Sequence, residues 1–326
     1  MAGWRSLLKI ATESDARKRL REPEIREELQ RVFSDRVEFH VPMSRYTSLR
    51  VGGPADAVVL PKDRGEIAGL LRFLSERGIP YGVVGKGANL IVRDGGIRGV
   101  VIDLTQGFSG IEESPEDSFS VRVGGGELLP RLVHWAKDRG LSGIESLIGI
   151  PGTVGGALIM NAGTRDGEIS NVVQDVEWIE SDGEIHIVPK ASLQFEYRHF
   201  EIPRGAVLLS ARLQFHKGDV VEIQEKMKGY LEKRREPKGI PSAGCIFKNP
   251  PKGFAGRLID QAGLKGVRIR GAQVSDIHAN YIVNVGAATA RDILSLIDLI
   301  RERVREEQGI SLELEVKVMG EPLASV

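Results

Sequence analysis

Glycine placement constrains this chain more than any other feature, because the glycines gather in a few short segments instead of spreading evenly. There are 39 in 326 residues, above the usual share of about 7%, and they are densest in GKGANLIV (85–92) and GIESLIGIPGTVGGALIMNAG (143–163). In the first segment, Gly85 and Gly87 follow the strand-like run YGVV and permit positive φ and close backbone approach. The N–H groups of Lys86, Gly87, Ala88, Asn89 and Leu90 can then ring a pyrophosphate. The pattern is not G-x-G-x-x-G, since Leu90 stands where the third glycine belongs. NLIV also continues as a strand and opens no helix, which disfavours a Rossmann site. A tight turn between two strands is the alternative that these residues alone leave open. In the second segment, Gly149, Ile150, Pro151, Gly152, Thr153, Gly155, Gly156, Asn161, Ala162 and Gly163 place small residues among apolar ones. A flat ring or a diphosphate can lie against such a backbone, with Thr153 and Asn161 offering hydrogen bonds; a buried loop-helix packing motif fits equally well.

Around these loops the hydrophobic pattern alternates between strand and helix. ADAVVLP, YGVVG, NLIVRDGGIRGVVIDL, SFSVRVGGG and GAVLLSARLQF read as strands bounded by glycine. RGEIAGLLRFLSERG and LLPRLVHWAKDRG carry apolar residues three and four apart and end in Arg-Gly, a basic last turn followed by a helix-stopping glycine. Ile25, Leu29 and Phe33 share one stripe of a charged N-terminal helix. Beyond residue 217 come the helical runs VVEIQEKMKGYLEKRRE and ARDILSLIDLIRERVREEQG, a Pro/Gly-rich stretch between them and a last strand, LELEVKVMG. The fold class is α+β.

Charge excludes several functions. Lys+Arg 45 balances Asp+Glu 45, so no global basic field draws in nucleic acid. Cys245 is the single cysteine; no intramolecular disulfide can form, and no Cys/His spacing suits a structural metal. The opening segment is too short and too charged for a signal-peptide core, and nowhere do about 18 apolar residues run together. A cytoplasmic protein with no membrane or obligate protein partner is expected.

Seven segments in order, YTSLRVGGPAD (46–56), GKGANLIV, GIESLIGIPGTVGGALIMNAG, FEYRHF (195–200), PSAGCIFKNP (241–250), AGRLIDQAGLKGVRIRGAQVSDIHANYIVN (255–284) and LELEVKVMG (312–320), resemble a known family. They are similar to the flavin-binding fold of the vanillyl-alcohol-oxidase type, and within it to the UDP-N-acetylenolpyruvoylglucosamine reductase family in its compact form. The resemblance implies a helical extension (1–37), two FAD-binding subdomains (38–105 and 106–215) and a substrate-binding domain (216–326). It implies bound FAD, held by Arg50 and the two glycine segments, with NADPH as co-substrate. The reaction implied is reduction of UDP-N-acetyl-3-O-(1-carboxyvinyl)glucosamine to UDP-N-acetylmuramate, a peptidoglycan precursor.

Such a reduction adds hydride at C3 of the enolpyruvyl group, develops negative charge on its carboxylate, and needs a proton at C2. By resemblance, Arg198 faces the carboxylate, where a guanidinium grips two oxygens. Without the resemblance it would read as an arginine on a solvated strand edge. Tyr197 matches a substrate-contacting position, but neighbours on a regular strand point to opposite faces, so both reach one site only if the backbone is irregular there. Cys245 stands where better-known members carry a proton-donating serine. A thiol, with a reference pKa of about 8.5, is protonated at neutral pH and is a better acid than an alcohol; a small buried hydrophobe is the alternative. Glu315 matches the family's C-terminal carboxylate, with Glu313 on the same face by alternation. Asn249, Lys265 and His278 match substrate-contacting segments, while Arg270 departs from the family, which has a second glycine there. A sugar or hydroxy-acid oxidase of the same fold and a flavin binder without turnover are the competing readings. A Cys-His hydrolase is poorer, because none of the six histidines sits in a partner motif.

Overall fold

The computed structural model describes residues 20, 22–234, 236–237, 239–251 and 253–323. Residues 1–19 and 21 of the anticipated extension lie outside them. The chain forms two compact units built from separated stretches. One holds the stretch ending at Phe39 together with Asp56–Gly85 and Gly99–Lys233; the other holds His40–Ala55, Lys86–Arg98 and the stretch beginning at Arg234.

The first unit has two cores. In one, helix α1 (Pro23–Phe33) buries Ile25, Leu29 and Phe33, the stripe expected from their spacing. Helix α2 (Arg64–Glu76) adds Ile67, Leu70, Leu71 and Leu74, and starts where the Asp63 carboxylate accepts the Glu66 N–H at 2.9 Å. Both face Val100 and Ile102, on a strand that runs parallel to Tyr81–Val84. The expected Arg-Gly stop is present: Gly78 leaves the helix at φ 57°, and Gly140 does so at φ 63° after α3 (Leu129–Asp138).

The second core lies on a five-stranded antiparallel sheet ordered Ile185–Pro189, Val173–Ile179, Val207–Gln214, Ser120–Gly124, Ile111–Glu113. Helix α3, the short α4 (Val154–Ile159) and α5 (Val220–Lys233) contribute Leu132, Leu158, Ile223 and Met227 to it. Burying one such side chain contributes about 1.5–3 kcal/mol. The strand Val173–Ile179 is absent from the sequence reading. Its Asp175 and Glu177 suggest a solvated segment, yet both are buried because Arg122 and Arg212 pair with Asp175 and Arg64 and Arg122 with Glu177.

In the second unit a four-stranded antiparallel sheet, ordered Ser242–Cys245, Tyr281–Asn284, Ala272–Val274, Arg268–Ile269, shares a core with α6 (Ala255–Gln261) and α7 (Ala290–Gln308) through Ile259, Ile282, Leu296, Ile297 and Ile300. A Thr289–Asp292 capping box starts α7 and Gly309, at φ 68°, ends it. The expected strand LELEVKVMG is broken: Leu314 makes a single bridge to Phe247, and only Lys317–Met319 forms a strand, parallel to Leu90–Val92.

That parallel pairing groups the chain differently from a division by continuous stretches. Residues 86–98, assigned with 38–105, cluster with the C-terminal sheet because their strand partner lies more than 200 residues on. Helix α5, assigned to 216–326, belongs to the first unit because Ile223 and Met227 are buried in its second core. Among the described residues no helix is long and apolar enough to cross a membrane.

Candidate active site

In the first unit the strand Tyr81–Val84 runs out into Gly85, where the two glycine segments meet. A Cβ on Gly85 would stand 2.4 Å from Thr153 Oγ1 and 3.0 Å from its Cγ2, so only glycine permits this approach. Thr153 Oγ1 accepts the Gly156 N–H at 3.3 Å and caps α4. Gly155 donates to the Gly125 carbonyl at 2.8 Å, and Gly149 and Gly152 turn the chain at φ 80° and 127°. Pro151 and Gly156 are exposed and Ile150 half-buried. These residues offer backbone with little side-chain bulk, against which a ring system or a diphosphate can lie.

Asn161 uses its side chain internally. It is buried, at φ 39°, and its Nδ2 donates to Glu168 Oε2 at 2.7 Å and to the Glu196 carbonyl at 3.0 Å. The Gly163 carbonyl accepts a 2.8 Å hydrogen bond from Arg198 Nη2. Residues 161–163, with half-buried Ala162 between them, therefore hold the hairpin Phe195–Glu196/His199–Phe200. Phe195 and Phe200 stack inside it with ring centroids 4.2 Å apart. Tyr197 and Arg198 form its two-residue turn, and Arg198 has φ 56°. This supplies the irregularity that lets neighbouring side chains gather: the Arg198 guanidinium lies 5.0 Å from the Tyr197 ring centroid.

In the second unit Gly87 has φ 56°, and a Cβ there would come 1.9 Å from the Tyr46 carbonyl oxygen. Ser48 donates to the carbonyls of Gly87, through its N–H, and of Lys86, through its hydroxyl. Arg50, exposed and at φ 56°, lines an open groove of about 610 Å³ with Ser44, Arg45, Thr47 and Ser48. Beyond Ala88, the next residues are tied to the C-terminal strand: Asn89 Nδ2 donates to the Glu315 carbonyl at 3.1 Å, and Lys317 N–H donates to the Asn89 carbonyl. Leu90 opens the strand paired with Lys317.

Cys245 ends a strand that pairs Ser242 with Val283 and Cys245 with Tyr281, so one extra residue bulges out between them. Gly244, at φ 70°, forms the bulge, and a bulge of this kind re-aims the side chain that follows it. The Ile246 carbonyl accepts the Glu315 N–H at 2.8 Å, which brings the Cys245 and Glu315 segments side by side. The structure also separates the two candidate glutamates. Glu313 is 73% exposed and pairs with Lys248 at 2.8 Å, and that ammonium holds its carboxyl below the usual range. Glu315 is half-buried. Lys317 has its ammonium pKa lowered by burial and by Lys248, against the opposing pull of Glu313 and Glu315. Burial, with Cys245 and Glu236 nearby, raises the Tyr281 phenol above its usual pKa.

The remaining expected residues are more dispersed. Asn249 Oδ1 accepts the Ala255 N–H at 3.0 Å and caps α6. Lys265 is exposed and pairs with Asp260 at 2.8 Å. His278 accepts the Asn280 N–H on Nδ1 at 3.2 Å and packs edge-on to Tyr281; burial lowers its pKa. Arg270, where the family has glycine, adopts φ 49°, a backbone state that glycine takes without strain. Sequence reasoning missed Asn280, whose carboxamide bonds the backbone two residues after Cys245. Its only signal was a polar residue at the entry of an apolar strand.

A family model described as FAD binding domain matches residues 55–188, and the glycine surface of the first unit fits that cofactor. The fold and site thus define an FAD-binding protein of the α+β class. A model described as UDP-N-acetylenolpyruvoylglucosamine reductase, C-terminal domain, matches residues 236–319. The reductase of that name from Anaeromyxobacter sp. (strain Fw109-5) is 46% identical over 91% of this chain and 92% of its own length. The one from Geotalea uraniireducens (strain Rf4) is 44% identical over 87% and 94%. The crystal structure of UDP-N-acetylenolpyruvylglucosamine reductase from Thermus caldophilus superposes with a TM-score of 0.76 at 42% identity, covering 87% of this chain and 98% of that one. The chain belongs to the UDP-N-acetylenolpyruvoylglucosamine reductase family.

Proposed function

We propose that this chain is the FAD-dependent oxidoreductase that reduces UDP-N-acetyl-3-O-(1-carboxyvinyl)glucosamine to UDP-N-acetylmuramate at the expense of NADPH, with Arg198, Cys245 and Glu315 as its catalytic residues. The observation that carries the assignment of residues is the bulge that presents Cys245 beside the Glu315 backbone. Bound FAD supplies a two-electron store between NADPH and the sugar; the backbone of Gly85–Leu90 and Gly149–Gly163, with Arg50, would hold it.

Arg198 binds the substrate carboxylate and stabilises the charge that grows there, its guanidinium aimed by Gly163 and backed by the Tyr197 ring. The Cys245 thiol holds the proton destined for C2. Glu315 orients that donor, the ion pair with Lys248 having drawn Glu313 aside. Tyr197, Asn249, Lys265 and His278 contact the substrate. The four-part division 1–37, 38–105, 106–215 and 216–326 is proposed as a division of roles along the chain, not of compact units. The reading includes a cytoplasmic location and no membrane, metal or obligate protein partner; the balanced charge supports the further expectation of no nucleic-acid partner.

Anaerobic absorbance tests the proposal. NADPH should bleach the visible flavin band and the enolpyruvyl sugar should restore it. Cys245→Ser should keep appreciable turnover, whereas Cys245→Ala should still bleach but lose most of the recovery. Recovery at the wild-type rate in Cys245→Ala would remove the thiol from the reaction, and no recovery in the wild-type protein would mean a different substrate.

A further inference from the structure

Three of the four hydrogen-bonding groups of Asn280 are directed at the segment that follows Cys245. Its carboxamide clamps Phe247 from both sides: Nδ2 donates to the Phe247 carbonyl at 2.8 Å and Oδ1 accepts the Phe247 N–H at 3.0 Å. Its own carbonyl accepts the Ile246 N–H at 2.9 Å, and its N–H donates to His278 Nδ1. The residue is 3% exposed, Ile246 and Phe247 are buried beside it, and Tyr281, the next residue, is the register partner of Cys245. A carboxamide sealed from water with both ends satisfied fixes backbone geometry strongly, since removing it leaves buried polar groups unpaired. The opposite edge of the same segment is held by Leu314, Glu315 and Val316. Gly244, at φ 70°, sets the bulge immediately before Cys245 and the clamp on Phe247 lies two residues after it, so the direction of the thiol depends on where Phe247 is held.

We infer that Asn280 is a positioning residue for the Cys245 thiol, acting through the two-sided clamp on Phe247. This rests on the reading of Cys245 as proton donor. The clamp acts on proton delivery to the substrate and leaves reduction of the flavin by NADPH unchanged. A thiol displaced by about 1 Å delivers its proton on the order of a hundredfold more slowly.

The test measures the two half-reactions separately by stopped flow on flavin-loaded Asn280→Ala, Asn280→Asp and wild-type protein. The rate at which iodoacetamide alkylates Cys245, unambiguous because it is the single cysteine, gives a readout independent of turnover. Asn280→Asp keeps the acceptor and loses the donor, and it replaces Asn280→Ala if the latter does not load flavin. The expected result is reoxidation by the enolpyruvyl sugar slowed at least about tenfold, NADPH reduction within about twofold, and an altered alkylation rate. In a Cys245→Ala background the Asn280 change should add no further loss of reoxidation. Wild-type reoxidation in folded, flavin-loaded Asn280 variants, or equal slowing of both half-reactions, would overturn the inference. Undiminished reoxidation in Cys245→Ala alone would instead overturn the reading on which it rests.

Discussion

Replacing Gly85 by alanine isolates the contact between the two glycine segments. The new Cβ would stand 2.4 Å from Thr153 Oγ1, 3.0 Å from Cγ2 and 3.2 Å from Cβ. The closest pair must open by about 0.6 Å merely to reach the shortest tolerable separation, a displacement of the size that costs about 1–3 kcal/mol when a packed site is overfilled. Thr153 can relieve part of this by rotating, but it then gives up the Gly156 N–H that it caps, a loss of about 1 kcal/mol. If the strain falls on the FAD-bound form, the FAD dissociation constant rises roughly 5- to 150-fold; if it is present without cofactor, thermal stability falls by the same free energy. A double-mutant cycle separates these effects from unrelated damage. Thr153→Ala removes the two nearest atoms, so Gly85→Ala should cost at least about 1 kcal/mol less in that background, by flavin-fluorescence titration or by thermal unfolding of the apoprotein. Additivity within about 0.5 kcal/mol would refute the steric argument.

Three further outcomes can be checked. Asp94 accepts the Ala290 and Arg291 N–H groups on separate carboxylate oxygens at 2.9 and 2.8 Å; Asp94→Ala should destabilise the protein by about 1–2 kcal/mol in urea unfolding, and an unchanged midpoint would show that the Thr289–Asp292 box suffices. Pairing with Arg36 lowers the Glu66 pKa from 4.5 to about 2, a depressed carboxyl whose stabilisation is complete above pH 4.5 and lost as pH falls from there toward 2. Glu66→Gln should flatten the acid limb of a stability–pH curve by about 2 kcal/mol after allowing for partial exposure, and an unaltered limb would rule the pair out as its source. Burial lowers the His278 pKa below 6.5, so the folded state binds fewer protons than the unfolded one and stability drops as pH falls below 6.5. His278→Gln should remove that component of the slope, and an equal slope in the variant would count against it.

The sequence by itself determined the elements whose signal is local. The stripe Ile25, Leu29, Phe33, the Arg-Gly helix stops and the two glycine segments all lie where periodicity and residue type put them, because each depends on neighbours within one or two turns of chain. Resemblance to the family, more than local pattern, pointed to Arg198, Cys245 and Glu315, the last through the Val316 and Lys317 that follow it; in the structure Glu313 pairs with Lys248 while Glu315 is half-buried. Tertiary structure decided what depends on distant partners. The strand Val173–Ile179 hides behind its carboxylates until the arginines of other elements neutralise them. The pairing of Lys317–Met319 with Leu90–Val92 joins segments more than 200 residues apart, beyond the reach of any local pattern. Asn280 shows the limit most plainly: composition marks it as one polar residue before an apolar strand, and only the fold places Phe247 against its carboxamide. A buried hydrogen bond gets its strength from both partners being removed from water together, which only the folded chain arranges.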